Sequence, residues 1–334
     1  MKGVLTVVGA LGLGLLMGGC GGSGEPEAGV LRAGIGGEPR DLDPHTVTGT
    51  PEVQVILSLM EGLVTYHPTD DAIPYPGAAE RWEVSEDGRT WRFFIREGAR
   101  WSNGDPLTAE DFVYSWRRVL HPDLGNEYAD WMYMIENAEA YHRGEMADIA
   151  RVGITAEEPR ILRVDLVEPV ADFLKMLLNH TFLPVHRATI EAHGGPGVRS
   201  SGWTRPGSYV GNGAFRLVAW RPNSVIRVEP NPYYWDAETV QLKAIEFYPI
   251  EDENTEMRAF ESGQLHVTNS VPVNMRAHYR ERFPEKIRFD PFAGVYFYRI
   301  NTTRPPLDDV RVRRALSLAI DRRQIIEQLL RGGE

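Results

Sequence analysis

The chain has 334 residues, of which 42% are hydrophobic, 10% aromatic and 25% charged, and this composition is typical of a folded protein long enough for two domains. The formal net charge is -11, and such a surface repels phosphate backbones, which argues against a nucleic-acid partner. Cys20 is the only cysteine, so an internal disulfide is excluded.

The amino terminus has the pattern of an export signal. Lys2 precedes an uncharged run of about 14 residues, shorter than the roughly 20 that a membrane-spanning helix requires. Residues 16–20 (Leu-Met-Gly-Gly-Cys) resemble the bacterial lipobox, which predicts a lipoprotein signal peptide at 1–19 and lipidation of Cys20. Plain secretion with a free thiol is the alternative. Residues 20–29, rich in Gly, Ser, Glu and Pro, predict a flexible tether.

A short strand is predicted at residues 30–35, followed by a glycine-containing turn at Gly36 and Gly37. A dinucleotide-binding loop would need a helix to begin at its last glycine, so that the helix amides meet the phosphates. Pro39 and Pro44 break any such helix. The phosphate-loop interpretation is therefore rejected.

The middle of the chain mixes strand and helix patterns. Residues 90–96 alternate large apolar and charged side chains, which predicts a strand with one buried face. Thr108 and Asp111 have the spacing of a capping box, followed by apolar residues at helical spacing. Further predicted elements are a strand at 161–166 and a buried helical turn at 173–178.

Strands are predicted again in the last third, at 214–218, 225–228 and 242–247. Residues 294–301 are apolar at nearly every position, which predicts a strand buried on both faces, and Asp308 is predicted to cap the helix that follows. A buried strand and its helix need more sheet beside them than the remaining residues supply, so we expect the chain to be truncated.

Several segments, taken in this order, resemble the peptide-binding group of the bacterial extracellular solute-binding proteins of family 5. Their glycines and asparagines suit turns, their Thr and Asp residues suit helix caps, and their tryptophans suit the core, so they indicate the fold rather than the pocket. The segments are residues 41–45 (Asp-Leu-Asp-Pro-His), 61–63 (Glu-Gly-Leu), 101–116, 211–215 (Gly-Asn-Gly-Ala-Phe), 231–235 (Asn-Pro-Tyr-Tyr-Trp), 307–316 and 321–322.

The resemblance implies a mixed α/β fold like that of the type II periplasmic binding proteins, with two lobes and an extra small domain, closing by a hinge around the ligand. Its implied boundaries place the first lobe at 30–60 and 185–290, with the extra α+β domain between them at 61–184. Residues 291–334 would begin the second lobe, which stays incomplete.

The resemblance also implies a function. A protein of this kind captures short peptides in the periplasm or at the cell surface and delivers them to the permease subunits of an ABC importer. We expect a monomer without a cofactor or catalytic activity, held at the membrane by lipid on Cys20. Alternative solutes within the family are nickel chelates, glycans and haem.

A binder that accepts many peptides must recognise their main chain, for example by adding the ligand as a strand. The family pattern implies ligand contacts from two loop segments and one aromatic residue. One departure is a Thr at position 48, where an acidic residue is found in a well-known relative. Tyr128 could instead be an ordinary surface aromatic, and the last two residues could be turn formers. The implied ligand-binding residues are Thr48, Gly49, Thr50, Tyr128, Asn269 and Ser270.

A hydrolase site and a metal site are the two alternatives to a peptide-binding site. Eight tryptophans and many carboxylates could serve a secreted glycosidase, but the sequence singles out no carboxylate pair, and it has no serine-hydrolase elbow. A metal site could be sought at His180, His186 and His193, but their spacings of six and seven residues do not give the usual helical ligand pair. No metal is therefore predicted.

Overall fold

The computed structural model describes residues 28–67, 69–70, 73–289 and 295–330. The predicted leader, Cys20 and most of the tether lie outside these ranges. No helix in the described ranges is long and apolar enough to cross a membrane. The strands are β1 (Val30–Gly34), β2 (Val64–Tyr66), β3 (Pro74–Pro76), β4 (Ala79–Val84), β5 (Thr90–Ile95), β6 (Ile154–Glu158), β7 (Ile161–Asp165), β8 (Phe215–Arg221), β9 (Val225–Pro230) and β10 (Ala244–Tyr248).

The helices are mostly short, and 3-10 turns lie between several of them. The α-helices are α1 (Thr50–Leu59), α2 (Ala109–Val119), α3 (Ala138–His142), α4 (Phe173–Met176), α5 (Arg187–Ala192), α6 (Glu253–Glu261), α7 (Val273–Arg282), α8 (Val310–Leu318) and α9 (Arg322–Gln324), and α9 continues into a π-helical stretch, Ile325–Leu330.

One four-stranded sheet has the strand order β1-β10-β9-β8. β1 runs parallel to β10, while the β10–β9 and β9–β8 pairs are antiparallel. α1 packs its apolar side, which includes Val55, Ile56 and Leu59, into the same core as Ile226 and Val228 of β9. The sheet therefore unites β1 with strands that begin at residues 215, 225 and 244.

A second, antiparallel sheet has the order β4-β5-β7-β6, and β2 and β3 form a separate two-stranded hairpin. α2 covers the four-stranded antiparallel sheet, and its Phe112 and Trp116 are buried in one core with Phe93 of β5. The predicted capping box is present, since the Thr108 backbone N–H donates to Asp111 Oδ2 at 2.8 Å. The core comprises residues 63 to 182, and the predicted domain boundaries stay predictions.

A buried ion pair joins the two cores. Arg118 of α2 donates to both carboxylate oxygens of Asp43, at 2.9 and 2.6 Å, and also to His45 Nδ1 at 2.9 Å. Since Nδ1 accepts, His45 donates through Nε2 to the Leu183 carbonyl. Burial opposes ionisation of Asp43, but Arg118 holds its pKa below the usual value, while burial and Arg118 lower the pKa of His45 to about 3. The imidazole is therefore neutral.

Three of the family-like motifs meet at a second junction. Glu61 accepts hydrogen bonds from Tyr234 Oη at 2.6 Å and from Trp235 Nε1 at 2.8 Å. Asn212 pairs with the Glu61 backbone, donating to its carbonyl and accepting from its N–H. The Arg96 guanidinium lies 3.7 Å from the Trp235 ring centroid. Burial raises the pKa of Glu61 to about 7, despite the two donors.

The carboxyl-terminal segment differs from the sequence-based expectation in two ways. The strand predicted at 294–301 is wrong, because its described residues have no strand assignment, and Tyr296 is 89% exposed. No strand in the described ranges pairs with it, and an unpaired segment has no ladder or covered face to stabilise it. The following helix, α8, is capped by Asp309 rather than Asp308, through a bond from the Arg311 N–H.

Candidate ligand-binding edge at the carboxyl end of β1

β1 is an edge strand whose outer side is only partly covered. One side of β1 pairs with β10. The other side contacts a short segment in which His266 donates its N–H to the Arg32 carbonyl and the Val267 carbonyl accepts from the Gly34 N–H. The chain then leaves the sheet through Gly36, which has a φ of +73°. Crevices at the carboxyl ends of such strands are the usual ligand sites of open α/β sheets.

α1 begins beside this edge. Gly49 is its N-cap residue in an extended conformation, and no side chain caps the helix. Thr48 and Thr50 are exposed, and their side chains make no hydrogen bond within the described ranges. The predicted residues 48–50 therefore present free N–H and hydroxyl groups at the end of β1, whereas the Gly49 carbonyl accepts from the Val53 N–H.

The second predicted segment lies at the same place. Gln54 of α1 donates from Nε2 to Asn269 Oδ1 at 2.9 Å, and a Cβ at Gly36 would lie 2.6 Å from Asn269 Nδ2. Ser270 donates from Oγ to Glu253 Oε1 at 2.9 Å. The fold thus brings α1, which begins at Thr50, into contact with the loop of Asn269 and Ser270, more than 200 positions later, although both of these side chains already have partners within the protein.

A buried carboxylate supports this loop, and the sequence-based reasoning missed it. Glu256 of α6 is 1% exposed and accepts from the Asn269 N–H through Oε2 at 3.1 Å. Burial raises its pKa, while backbone donors at Asn269, Ser270 and Gly36 oppose the shift. A Cβ at Gly34 would overlap Glu256 Oε1. Glu256 is an unremarkable acid in a helical sequence, so no local signal could have identified it.

Tyr128, the remaining predicted residue, contacts a different set of side chains. Its half-buried ring contacts Trp131 and His180, with ring centroids 6.1 and 5.5 Å apart. Arg199 ties this region to the first segment, because it donates to the carbonyls of Thr46, at 3.3 Å, and of Leu124 and Gly125. No hydrogen bond or ring contact in the described part of the chain joins Tyr128 to the other five residues.

The three histidines considered as metal ligands form hydrogen bonds with other residues and not with one another. His180 contacts Asn179, His186 contacts Asp105 and Thr189, and His193 contacts the Thr189 carbonyl. Burial lowers the pKa of His180 to about 4. Within the described ranges, no group of three or more His, Cys, Asp or Glu side chains is arranged to hold a metal ion.

Residues 74–334 match the family described as bacterial extracellular solute-binding proteins, family 5. The periplasmic oligopeptide-binding protein of Salmonella typhimurium is 36% identical over 302 residues, covering 90% of this chain and 54% of that protein. A probable deoxycholate-binding periplasmic protein of Escherichia coli is 35% identical over 303 residues, covering 90% and 55%.

Solved structures agree with these matches. The oligopeptide-binding protein of Haemophilus influenzae, in complex with the peptide RPPGFSPFR, has a TM-score of 0.85 and 32% identity, covering 92% of this chain and 59% of that one. The chain spans about half the length of the curated relatives it matches. The predicted mixed α/β, periplasmic-binding-protein fold class is confirmed. The chain belongs to the bacterial extracellular solute-binding proteins of family 5.

Proposed function

We propose that the protein captures oligopeptides outside the cytoplasm and delivers them to the permease subunits of an ABC importer. The observation that carries this proposal is the open edge at the end of β1, where residues 48–50 offer unpaired groups beside the Asn269 loop. Extended backbone placed there could pair with a peptide main chain, which every peptide shares whatever its sequence.

Similarity supports peptides as the ligand class. The Salmonella relative is named for oligopeptide binding, and the Haemophilus structure contains a nine-residue peptide. The deoxycholate-binding relative is almost equally similar, and that similarity favours a second candidate, an amphipathic acid held by the same edge. Nickel chelates, glycans and haem are three more solute classes to be tested. We propose binding without catalysis, since family members are solute-binding proteins.

Tyr128 is proposed to contact the ligand from the opposite side of the crevice. Its neighbour Trp131 is 37% exposed, so the two rings offer an aromatic surface suited to peptide side chains, and Arg199 holds their loop near residue 46. We further propose a periplasmic or cell-surface monomer, anchored by lipid on Cys20, with residues 20–29 as tether. A lipid-anchored protein of this kind needs no membrane-spanning helix.

The complete protein encoded by the gene should be tested against a pool of di- to pentapeptides and against deoxycholate. A ligand that binds only the folded state stabilises it by about 2.7 kcal/mol at 100 times Kd, so peptides should raise the Tm in calorimetry. A Tm raised by deoxycholate alone would select the second candidate, and a Tm unmoved by peptides would contradict the first.

A matched pair of variants tests recognition through the main chain. Thr48→Pro removes one backbone N–H, whereas Thr48→Ala keeps it and removes the hydroxyl and the γ-methyl group. If main-chain pairing at this residue carries affinity, titration calorimetry should show about a tenfold loss for the proline variant, and little change for the alanine variant. Equal losses would assign the contact to the side chain. The Tm without ligand checks that both variants fold.

A further inference from the structure

A second polar site, made of residues other than those of the β1 edge, lies along the least buried face of α2. A cavity of about 220 Å³ is bounded by Glu110, Tyr114, Arg117 and Arg118 of α2, and by Arg187 of α5 on the opposite side. At about 30 Å³ per water molecule, this volume is roughly that of seven waters. The cavity can therefore hold a small polar ligand together with some solvent.

The charged side chains around the cavity are mainly cationic. Three arginines line it against one carboxylate, Glu110, in a chain whose net charge is -11. Arg118 is neutralised on its inner side by Asp43. Arg117 and Arg187 form no ion pair within the described ranges; Arg187 instead lies 5.4 Å from the centroid of the Tyr114 ring. Neither of these two positive charges is therefore held in an ion pair, although the carboxylate of Glu191 also lies near Tyr114.

Three of the lining residues also carry polar atoms without a hydrogen-bond partner. They are Tyr114 Oη, Arg117 Nε and Arg118 Nε, all buried. A guanidinium N–H can only donate. Burial and the interaction of its hydroxyl with the Glu191 carboxylate raise the pKa of Tyr114, so this hydroxyl keeps its proton. The group that best complements such donors is an acceptor-only anion with several oxygens.

We propose that this cavity binds a small tetrahedral oxyanion, with Arg117 and Arg187 as its charge partners. The same chemistry is offered by free inorganic phosphate and by the phosphate of a lipid headgroup. The alternative is that Arg117 and Arg118 only stabilise the carboxyl end of α2, where cations offset the helix dipole.

Binding can be measured on the chain without its leader and without lipid. Inorganic phosphate, titrated against chloride at constant ionic strength, should raise the Tm in a saturable way. Arg187→Ala should weaken the apparent affinity at least tenfold, because it removes an exposed charge that forms no ion pair and whose contact within the protein is with the Tyr114 ring. The matched control is Arg221→Ala, which removes an exposed arginine from β8 and should leave the affinity unchanged.

Co-sedimentation with vesicles distinguishes the two sources of phosphate. Retention on phosphatidylglycerol vesicles that is lost in Arg187→Ala, but not in Arg221→Ala, would identify a lipid headgroup; a phosphate-dependent Tm without such retention would identify the free ion. If phosphate has no saturable effect and retention is the same in both variants, the proposal is wrong and the dipole explanation stands. Equal phosphate affinity in both variants would also overturn it.

Discussion

Two apolar segments of similar composition adopt different structures in this molecule. Residues 90–95 (Thr-Trp-Arg-Phe-Phe-Ile) form β5 between β4 and β7, and Phe93 is fully buried. Residues 295–300 (Val-Tyr-Phe-Tyr-Arg-Ile) form no strand, and Phe297 is 64% exposed. An apolar run therefore becomes a strand only where neighbouring strands supply hydrogen-bond partners and the rest of the protein supplies a surface to cover it.

Replacing one phenylalanine by alanine in each segment should give the largest difference in the free energy of unfolding. Phe93→Ala is expected to lower the free energy of unfolding by about 3–5 kcal/mol, because it empties space in a packed core. Phe297→Ala should change it by less than about 0.5 kcal/mol, since the ring has few neighbours. Urea denaturation of the chain without its predicted leader measures both. Similar losses in the two variants would show that residues 295–300 are packed in solution.

The pH dependence of stability is a second property that distinguishes the packed part of the molecule from residues 295–300, because the packed part contains the buried carboxyl of Glu61. The pKa of Glu61 is raised to about 7 from 4.5, so between these values the folded state binds the proton that the unfolded state has lost. Its contribution to the free energy of unfolding therefore falls by about 3 kcal/mol as pH rises from 4.5 to 7, and is constant above.

Glu61→Gln removes this titration while keeping a similar shape. The difference in unfolding free energy between wild type and variant should decrease across pH 4.5–7, as measured by chemical denaturation at each pH. Taking the difference cancels other groups, such as His45, whose lowered pKa makes stability fall as pH drops below 6.5. A difference independent of pH would refute the raised pKa of Glu61.

The smallest expected effect concerns α8, in the segment that lacks tertiary cover. Asp309 accepts the Arg311 N–H at 2.8 Å, so Asp309→Ala should cost the helix about 1 kcal/mol. Asp308→Ala is the matched control, one residue outside the cap. Amide hydrogen exchange at residues 311–313 should speed up several-fold for the first variant alone. Equal acceleration in both would restore Asp308 as a cap.

Much of the fold followed from local patterns, and particular residues show why. The alternation at 90–96 predicted β5, and the Thr108–Asp111 spacing predicted the start of α2, because each pattern depends on periodicity or capping within a few positions. The strand at 294–301 failed because its formation depends on partners rather than on its own residues. The cap at Asp308 missed by one position, which is the usual uncertainty at a helix end.

The candidate site also contains residues that the sequence indicated and one that only the structure revealed. The resemblance suggested Thr48–Thr50 and Asn269, and the fold brings them together through Gln54. It did not suggest Glu256, whose role depends on the space left by Gly34 and on a backbone N–H 13 residues away. Tyr128 lies apart from the others, so its place at the ligand stays a prediction.

By itself, the sequence determined the mixed α/β elements and the family, because hydrophobic periodicity, caps and ordered motifs are properties of contiguous residues. Only the tertiary structure decided which distant groups meet: Asp43 with Arg118, Glu61 with Tyr234, and β1 with β10. These contacts join positions between 75 and about 210 residues apart, and no local rule ranks such pairings. Burial, which raises the pKa of Glu61 and leaves Arg117 Nε without a hydrogen-bond partner in the described part of the chain, is likewise a property of the packed molecule.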